Sequence, residues 1–273
     1  MVLYIIGLLL TGILPYQASN DAPKHSISAN QTQSIYGLTN KQLSADESGR
    51  NLVVVLDPGH GGKDTGCSGH SHLEKDVTLE FTKALGAKLE QQNPYLTIYY
   101  TRTGDESVSL NQRINLANRV KADIFLSIHA NAGPSDEVSG FETFVYGENL
   151  DDQHHHLTQR ENALPDSHPK KASPIASLIL AHMHQDQLLD KSIRLASKID
   201  RQVAQLDHYR NRGIKQAQFR VLHKAQMPSV LLEIGYLTSQ SDIAKLVDNR
   251  FKSNLLSKIS TGVMDFLVNL EKA

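Results

Sequence analysis

Short apolar runs alternate with amphipathic stripes along most of the chain after residue 51. The runs LVVVL, LTIYYT, DIFLSIHA, GFETFVYG, FRVLH and SVLLEIG predict strands at 52–56, 96–101, 123–130, 140–147, 219–223 and 229–235. Continuous apolar runs of this length are typical of strands that are buried on both faces. Apolar residues at helical spacing predict helices between them, with stripes at 73–89, 110–120, 193–203 and 251–270.

This alternation of strands and helices predicts the fold class. We expect an α/β single domain over residues 51–273, with a mostly parallel twisted sheet flanked by helices on both faces. The stretch 148–192 breaks the rhythm, because it is first polar and then helical. An insertion of this length inside a compact domain is usually either functional or disordered.

The first 50 residues differ in composition from the rest. Residues 1–18 contain the apolar run VLYIIGLLLTGIL, which is shorter than the ~20 residues of a membrane span and predicts a signal peptide or N-terminal anchor. No Lys or Arg precedes Lys24, so a misassigned start codon stays open as well. Residues 19–50 are polar and predict a flexible linker. Beyond the N-terminal segment we expect no stable membrane span.

Composition narrows the classes of function. Hydrophobic residues make up 40% of the chain and charged residues 21%, which suits a globular core. The net charge of -1 does not favour a nucleic-acid partner. Cys67 is the single cysteine, so an intramolecular disulfide and a cysteine-rich zinc cluster are excluded.

Three ionisable residues occupy the ends of predicted strands. His60 follows the first strand, His129 closes DIFLSIHA and Glu233 lies in SVLLEIG. Ligands of open α/β sheets bind at the carboxyl ends of strands. One such histidine is usually a hydrogen-bonded core residue, but three buried ionisable groups favour a site.

Two imidazoles and a carboxylate are the ligands that a catalytic zinc often takes. Hydrolysis then needs a further carboxylate, which moves the proton of the attacking water. Glu233 suits either carboxylate role, and the residues alone do not decide between them. The helix after His60 offers Glu74, Asp76 and Glu80 as the second carboxylate, although acidic residues favour a helix N-terminus in any case.

A family resemblance separates these candidates. The chain resembles the zinc-dependent N-acetylmuramoyl-L-alanine amidases of the murein hydrolase type from about residue 52 to 271. The resemblance is carried by VVVLDPGHGGKDTGCSG, LEKDVTL, TRTGDESVSLNQRINLAN, ADIFLSIHANA, SGFETFVYG and MPSVLLEIGYLTS. It implies one Zn²⁺ held by His60, Glu74 and His129, with Glu233 as the catalytic residue. It also implies a peptidoglycan substrate, cleaved between N-acetylmuramic acid and L-alanine of the stem peptide.

The insertion extends the resemblance to the cell-separation amidases of Gram-negative bacteria. Their regulatory segment covers the active site, and TQRENALPD implies that Glu161 is an autoinhibitory zinc ligand. The alternative is that Glu161 is a solvated loop residue. The same likeness implies an exported, periplasmic enzyme and a LytM-domain-like activator protein.

The remaining candidates have weaker support. Asn131 is either a substrate-orienting residue or a turn residue. Arg102 and Arg113 are candidates for binding acidic stem groups, although charge pairing inside the fold is favoured for Arg113. The tract His154–His156 is best interpreted as solvated, and Cys67 as a small loop residue rather than a fourth ligand.

Two other functions stay open. One is a zinc peptidase or carboxypeptidase that acts on stem peptides. The other is a non-catalytic murein-binding regulator, against which the intact His60, Glu74, His129 and Glu233 argue.

Overall fold

The structure, a computed structural model, describes residues 51–148, 152–163 and 175–270. The predicted signal or anchor segment 1–18 and the predicted linker 19–50 lie outside the described residues. The side chains of His154, His155, His182 and His184 lie outside them too.

Eight strands and six helices make up the described chain. The strands are β1 Val53–Pro58, β2 Ser68–Gly69, β3 His72–Leu73, β4 Thr97–Tyr100, β5 Ile124–Asn131, β6 Phe141–Tyr146, β7 Asn211–Ala217 and β8 Ser229–Tyr236. The helices are α1 Glu74–Gln92, α2 Leu110–Arg119, α3 Asp152–Glu161, α4 Ile175–Val203, α5 Gln240–Val247 and α6 Asn249–Leu270.

Six strands form one sheet in the order β4-β1-β5-β8-β6-β7. The pairs β1–β4, β1–β5, β5–β8 and β6–β7 are parallel, while β6 and β8 are antiparallel. The predicted α/β fold with a mostly parallel sheet is therefore confirmed. The strands β2 and β3 form a separate small hairpin.

The apolar runs arise because the central strands are buried on both faces. In β1, Val54 and Leu56 pack into one core cluster, which also contains residues of α1, α4 and α6. Val55 points to the other face, where it packs with Ile114 of α2 and Phe125 of β5. Helices thus cover both faces, as the sequence predicts, and the strand ends are held between two cores.

One prediction about local structure is wrong, and one strand was not predicted. The run at 219–223 forms a tight turn rather than a strand, and the amide of Leu222 donates to the carbonyl of Phe219 at 3.1 Å. Its apolar side chains are buried because they fill the second core cluster. The strand lies earlier, in β7, whose sequence NRGIKQA is polar because β7 is the edge strand of the sheet.

The predicted insertion 148–192 contains α3 and the first part of α4. Helix α4 runs from Ile175 to Val203 without a break at residue 192. Its second half carries the predicted stripe, and Ala196 and Ile199 are fully buried against the main core. Among the described residues no helix is long and apolar enough to cross a membrane.

Candidate metal centre

The parallel strands β1, β5 and β8 end at the same edge of the sheet. His60 follows β1 directly, while His129 and Glu233 are register partners on the neighbouring strands β5 and β8. The sheet topology therefore brings the three residues predicted at strand ends to one place. Each is at least nine-tenths buried.

Two buried arginines hold the loop that carries His60. Arg113 donates to Oδ1 of Asp57 at 2.7 Å and to the carbonyls of Pro58 and His60, both at 2.6 Å. Arg102 donates to the carbonyls of Gly59 at 2.6 Å and Pro58 at 3.0 Å. Both side chains are about 2% exposed. The prediction that Arg102 binds acidic substrate groups is therefore wrong, whereas the internal ion pair of Arg113 is confirmed.

The loop approaches His129 too closely for a side chain at position 59. A Cβ on Gly59 would lie 2.6 Å from the imidazole of His129, well inside any real contact. The next residue, His60, adopts a φ of +58°, which is costly for a residue other than glycine. The surrounding hydrogen bonds hold this conformation, which directs the imidazole toward the strand ends.

Four donor atoms meet at this edge of the sheet. His60, Glu74, His129 and Glu161 each offer one atom, and all four atoms lie within 4.8 Å of one another. Nε2 of His60 is 3.0 Å from Oε1 of Glu74 and 3.1 Å from Oε2 of Glu161. Nδ1 of His129 lies 3.0 Å and 3.2 Å from the same two oxygens.

These atoms fit a bound cation better than a set of hydrogen bonds. Donors about 2.0–2.1 Å from a tetrahedral ion lie about 3.3 Å apart, close to the four observed separations. Nε2 of His60 and Oε2 of Glu161 are buried and find no hydrogen-bond partner among the described residues. Two imidazole nitrogens and two carboxylate oxygens form a donor set that suits zinc and related transition metals.

Asp64 sets the tautomer of His60. Its Oδ2 lies 2.8 Å from Nδ1 of His60, and a carboxylate accepts but does not donate. The ring therefore carries its proton on Nδ1 and presents the lone pair of Nε2 to the other donors. Metal-binding histidines are commonly oriented by a carboxylate in this way.

The two carboxylates attract positive charge to the centre. Burial alone would lower the pKa of His60, but Glu74, Asp64 and Glu161 outweigh it and raise the pKa to about 12. Burial likewise opposes protonation of His129, whereas Glu161 and Glu74 raise its pKa to about 9. Either protonated imidazoles or a metal cation can supply the charge that the carboxylates require.

Glu74 owes its place to being the first residue of α1. Its Oε2 accepts from the amide of Cys67 at 2.9 Å, and its Oε1 accepts from the amide of Ala130 at 3.1 Å. The other two acidic candidates are exposed, and Glu80 pairs with Lys252 of α6. The structure thus brings Glu74 into the centre and leaves Asp76 and Glu80 outside it.

Glu233 lies beside the donor cluster. Its carboxylate is fully buried, and neither oxygen has a hydrogen-bond partner among the described residues. Burial raises the pKa of Glu233 well above its usual range, and the nearby carboxylates of Glu74 and Glu161 act in the same direction. A raised pKa favours the protonated form of this carboxyl group, so it can hold a proton that a solvated glutamate would lose.

Glu161 enters from the insertion, as the last residue of α3. Arg160 donates from Nε to Oε1 of Glu161 at 2.9 Å, which leaves Oε2 to face the histidines. Asn162 ties the helix end to the fold by donating to the carbonyl of Gln218 at 2.9 Å and accepting from the amide of Arg220 at 2.8 Å. Glu161 is therefore buried at 6% exposure rather than solvated.

Cys67 and the two histidines that follow it in the chain lie at the margin of the centre. The imidazole of His70 contacts the carbonyl of Thr238, and that of His72 contacts the carbonyl of His70. The Sγ of Cys67 donates to the carbonyl of Ala130, so the thiol is engaged outside the donor cluster. None of the three side chains belongs to the group of four.

Two carboxylates that orient side chains at the centre were not predicted from the sequence. Asp64 follows His60 at a spacing of four residues, and this proximity was the available signal. Glu142 lies opposite Glu233 in the antiparallel β6–β8 pair and accepts a hydrogen bond from Asn131. The signal in the sequence was that Glu142 is the single charged residue of the strand FETFVY.

The fold and the donor cluster define an α/β protein whose buried site can hold a metal ion. A model of the N-acetylmuramoyl-L-alanine amidase family matches residues 54–265, more than half of the chain. The chain is 31% identical over 228 residues to the N-acetylmuramoyl-L-alanine amidase AmiA of Escherichia coli K12. The aligned region covers 81% of this chain and 78% of the relative.

Two further relatives agree. The sporulation-specific N-acetylmuramoyl-L-alanine amidase of Bacillus subtilis 168 is 31% identical over 221 residues, covering 81% of this chain and 70% of the relative. The solved N-acetylmuramoyl-L-alanine amidase AmiC2 of Nostoc punctiforme is 32% identical with a TM-score of 0.57, covering 79% of this chain and 97% of that chain. The chain belongs to the N-acetylmuramoyl-L-alanine amidase family, which confirms the enzyme class predicted from the sequence.

Proposed function

We propose that this chain is a zinc-dependent peptidoglycan amidase that its own insertion holds inactive. His60, Glu74 and His129 would hold the zinc, and Glu233 would be the catalytic residue. The observation that carries the proposal is the buried cluster of four donor atoms, in which Nε2 of His60 and Oε2 of Glu161 have no hydrogen-bond partner among the described residues.

The substrate would be the amide between N-acetylmuramic acid and L-alanine of the stem peptide. A bound zinc would supply Lewis-acid polarisation of the carbonyl and a water of lowered pKa. The chain provides the rest through a rigid set of donors. Asp64 holds the lone pair of His60 toward the centre, and the amides of Cys67 and Ala130 hold the carboxylate of Glu74.

Glu233 would act first as a base and then as an acid. Its carboxylate would take a proton from the attacking water and pass it to the nitrogen of the leaving L-alanine. Burial beside two other carboxylates raises its pKa, which suits a group that must both accept and return a proton. Asn131, at the end of β5, would orient the substrate beside it.

The insertion would silence this site through Glu161. Oε2 of Glu161 occupies the position next to both histidines that a water or substrate oxygen would need. The cavity bordered by His60, His129 and Glu161 measures about 10 Å³. That volume suits about one water molecule and leaves no room for a peptide stem. Hydrolysis would therefore require α3 to move.

We also propose how the enzyme is placed and released. Residues 1–18 would export it, cleaved or as an anchor, residues 19–50 would be a linker, and 51–273 would be the catalytic domain with a regulatory insertion at 148–192. The compartment would be the periplasm of a Gram-negative bacterium. A LytM-domain-like activator would displace the insertion and allow peptidoglycan to enter.

The test combines metal analysis with product analysis on the purified chain. We expect about one zinc per chain and, in the Glu161→Ala variant, release of intact stem peptides with a new L-alanine amino terminus. Chelation should abolish the release and added zinc should restore it. The matched variant Glu161→Ala/Glu233→Gln should keep its zinc and lose about 10²–10⁴-fold in rate, the usual contribution of a general base.

Other products would support the alternatives. Shortened stem peptides that remain on the glycan would indicate a zinc carboxypeptidase. Binding to peptidoglycan with no zinc-dependent hydrolysis in Glu161→Ala would indicate a non-catalytic regulator. Equal hydrolysis by Glu161→Ala and Glu161→Ala/Glu233→Gln would remove the assigned role of Glu233.

A further inference from the structure

A second buried carboxylate lies beside the centre and takes no part in the donor cluster. Glu142 is 1% exposed, and its Oε1 accepts from Arg212 at 2.7 Å and from Lys215 at 2.5 Å. Its Oε2 accepts from the hydroxyl of Tyr236 at 2.8 Å and from Nδ2 of Asn131 at 3.2 Å. Four donors thus hold this carboxylate in one position at the edge of the site.

Glu142 and the backbone amide of Ala132 together determine which way the Asn131 amide faces. Ionised Glu142 accepts hydrogen bonds and cannot donate them, so the atom of Asn131 that faces it must be the NH₂ group. Its Oδ1 accepts from the backbone amide of Ala132 at 2.7 Å, and its remaining lone pair faces the insertion. Asn131 is 5% exposed, so its orientation depends on these buried contacts rather than on solvent.

In the closed structure Arg160 occupies the acceptor that Asn131 presents. Nη2 of Arg160 donates to Oδ1 of Asn131 at 3.1 Å, while Nε of the same guanidinium donates to Glu161 at 2.9 Å. The insertion therefore fills two adjacent places at once. One is the position beside the histidines, and the other is a hydrogen-bond acceptor on the flank of the centre.

We propose that Asn131 and Glu142 form a subsite for a peptide N–H of the substrate, which Arg160 occupies when the insertion is closed. The inference rests on the proposed function, since the stem peptide is the ligand. Asn131 would contact the substrate directly. Glu142 is a positioning residue, because it acts by holding the amide of Asn131 with Oδ1 toward the ligand.

The proposed reaction selects which N–H is bound. The nitrogen of the scissile amide must face Glu233, because Glu233 would return the proton to it. The next N–H along the stem, that of the second amide on the far side of L-alanine, is then the donor that would reach Asn131.

Binding to a variant without the closing side chains tests the subsite. The background is Arg160→Ala/Glu161→Ala/Glu233→Gln, loaded with zinc and measured by calorimetry. The probes are a muramoyl dipeptide, N-acetylmuramic acid carrying L-alanine and one further residue, and the same molecule methylated on its second amide nitrogen. We expect the methylated probe to bind about three- to tenfold more weakly, which is the usual effect of one lost hydrogen bond.

Two variants assign that preference to the subsite. Adding Asn131→Ala should remove the discrimination between the probes, because the acceptor is gone. Adding Glu142→Gln should reduce it, because an amide at position 142 donates as well as accepts and leaves only the amide of Ala132 to orient Asn131. Glu80→Gln, which removes the exposed pair with Lys252, is the control and should leave the discrimination unchanged. Thermal unfolding checks that each variant is folded.

Each other outcome has a definite meaning. Equal binding of the two probes to the background, no binding of either, or discrimination that survives Asn131→Ala would overturn the subsite. Zinc-dependent hydrolysis by Glu161→Ala together with equal binding would reject the subsite and keep the proposed function. Discrimination without hydrolysis would keep the subsite and reject the proposed catalysis.

Discussion

The loop that carries His60 and the helix that carries Glu161 reach the same point by different means. Arg113 bonds three groups of the loop, and its guanidinium is paired with the buried Asp57. Helix α3 is held by the hydrogen bond from Arg160 to Asn131, by bonds from Asn162 to the 218–220 segment, by Leu157 in the second core cluster and by the contacts of Glu161 with the two histidines.

Under the proposed function, this difference separates a permanent part of the centre from a removable part. Moving the His60 loop would take the carbonyl of His60 from the buried Arg113 and that of Gly59 from the buried Arg102, and hydrogen bonds of charged groups are typically worth about 1.5–3 kcal/mol each. Moving α3 breaks the hydrogen bonds of Arg160 and Asn162, each worth about 0.5–1.5 kcal/mol, uncovers Leu157 of the second core cluster and withdraws Glu161 from both histidines. Under the proposed function, three donors are the permanent part of the centre, and Glu161 is the part that an activator would remove.

The largest expected effect is a loss of zinc affinity on changing Asp64, in the permanent part of the centre. Asp64→Asn keeps the shape but allows the group facing His60 to donate, so the Nδ1–H tautomer is no longer enforced. We expect zinc affinity to fall about 10–100-fold, measured by competition with a chelator. Asp190→Asn is the control, because this exposed carboxylate pairs with Arg194 within α4. Equal zinc affinity in the wild type and Asp64→Asn would contradict the orienting role.

A smaller effect, on basal hydrolysis, is expected on changing Asn162, which holds the removable part of the centre. Asn162→Ala removes two hydrogen bonds that tie the end of α3 to residues 218 and 220. We expect basal peptidoglycan hydrolysis to rise about fivefold, which corresponds to a weakening of the closed state by about 1 kcal/mol. Dye release from labelled peptidoglycan measures the rise.

Asn118→Ala is the matched control for Asn162→Ala. Asn118 of α2 donates to the carbonyl of Lys224 and accepts from the amide of Gln226, so it makes the same pair of bonds to a neighbouring segment. It does not touch α3. A similar rise in both variants would mean that general loosening, rather than release of α3, increases the activity.

The sequence predicts the central sheet well because burial on both faces leaves a plain signal. Strands β1, β5 and β8 are continuous apolar runs, and their parallel pairing brings His60, His129 and Glu233 together. Edge strand β7 has no such run, since solvent on its outer side permits polar residues. The turn at 219–223 is apolar for packing reasons, and periodicity does not distinguish it from a strand.

The centre itself is less predictable than the sheet. Position along the chain does not separate Glu74 from Asp76 and Glu80, because the difference depends on where α1 begins and which side chain then faces His129. Asp64 and Glu142 act through contacts that form only in the folded chain. The place of Glu161 depends on how α3 packs against the fold, which only the family resemblance anticipated.

The most direct test of the account is basal hydrolysis by Glu161→Ala. The variant removes the fourth donor and leaves His60, Glu74 and His129 in place. We expect zinc-dependent release of stem peptides to rise about tenfold or more over the wild type, with zinc still bound at about one per chain. Asp190→Ala, which removes an exposed carboxylate of α4, should behave like the wild type. Unchanged hydrolysis by zinc-loaded Glu161→Ala would contradict the claim that a complete site is closed by its own insertion.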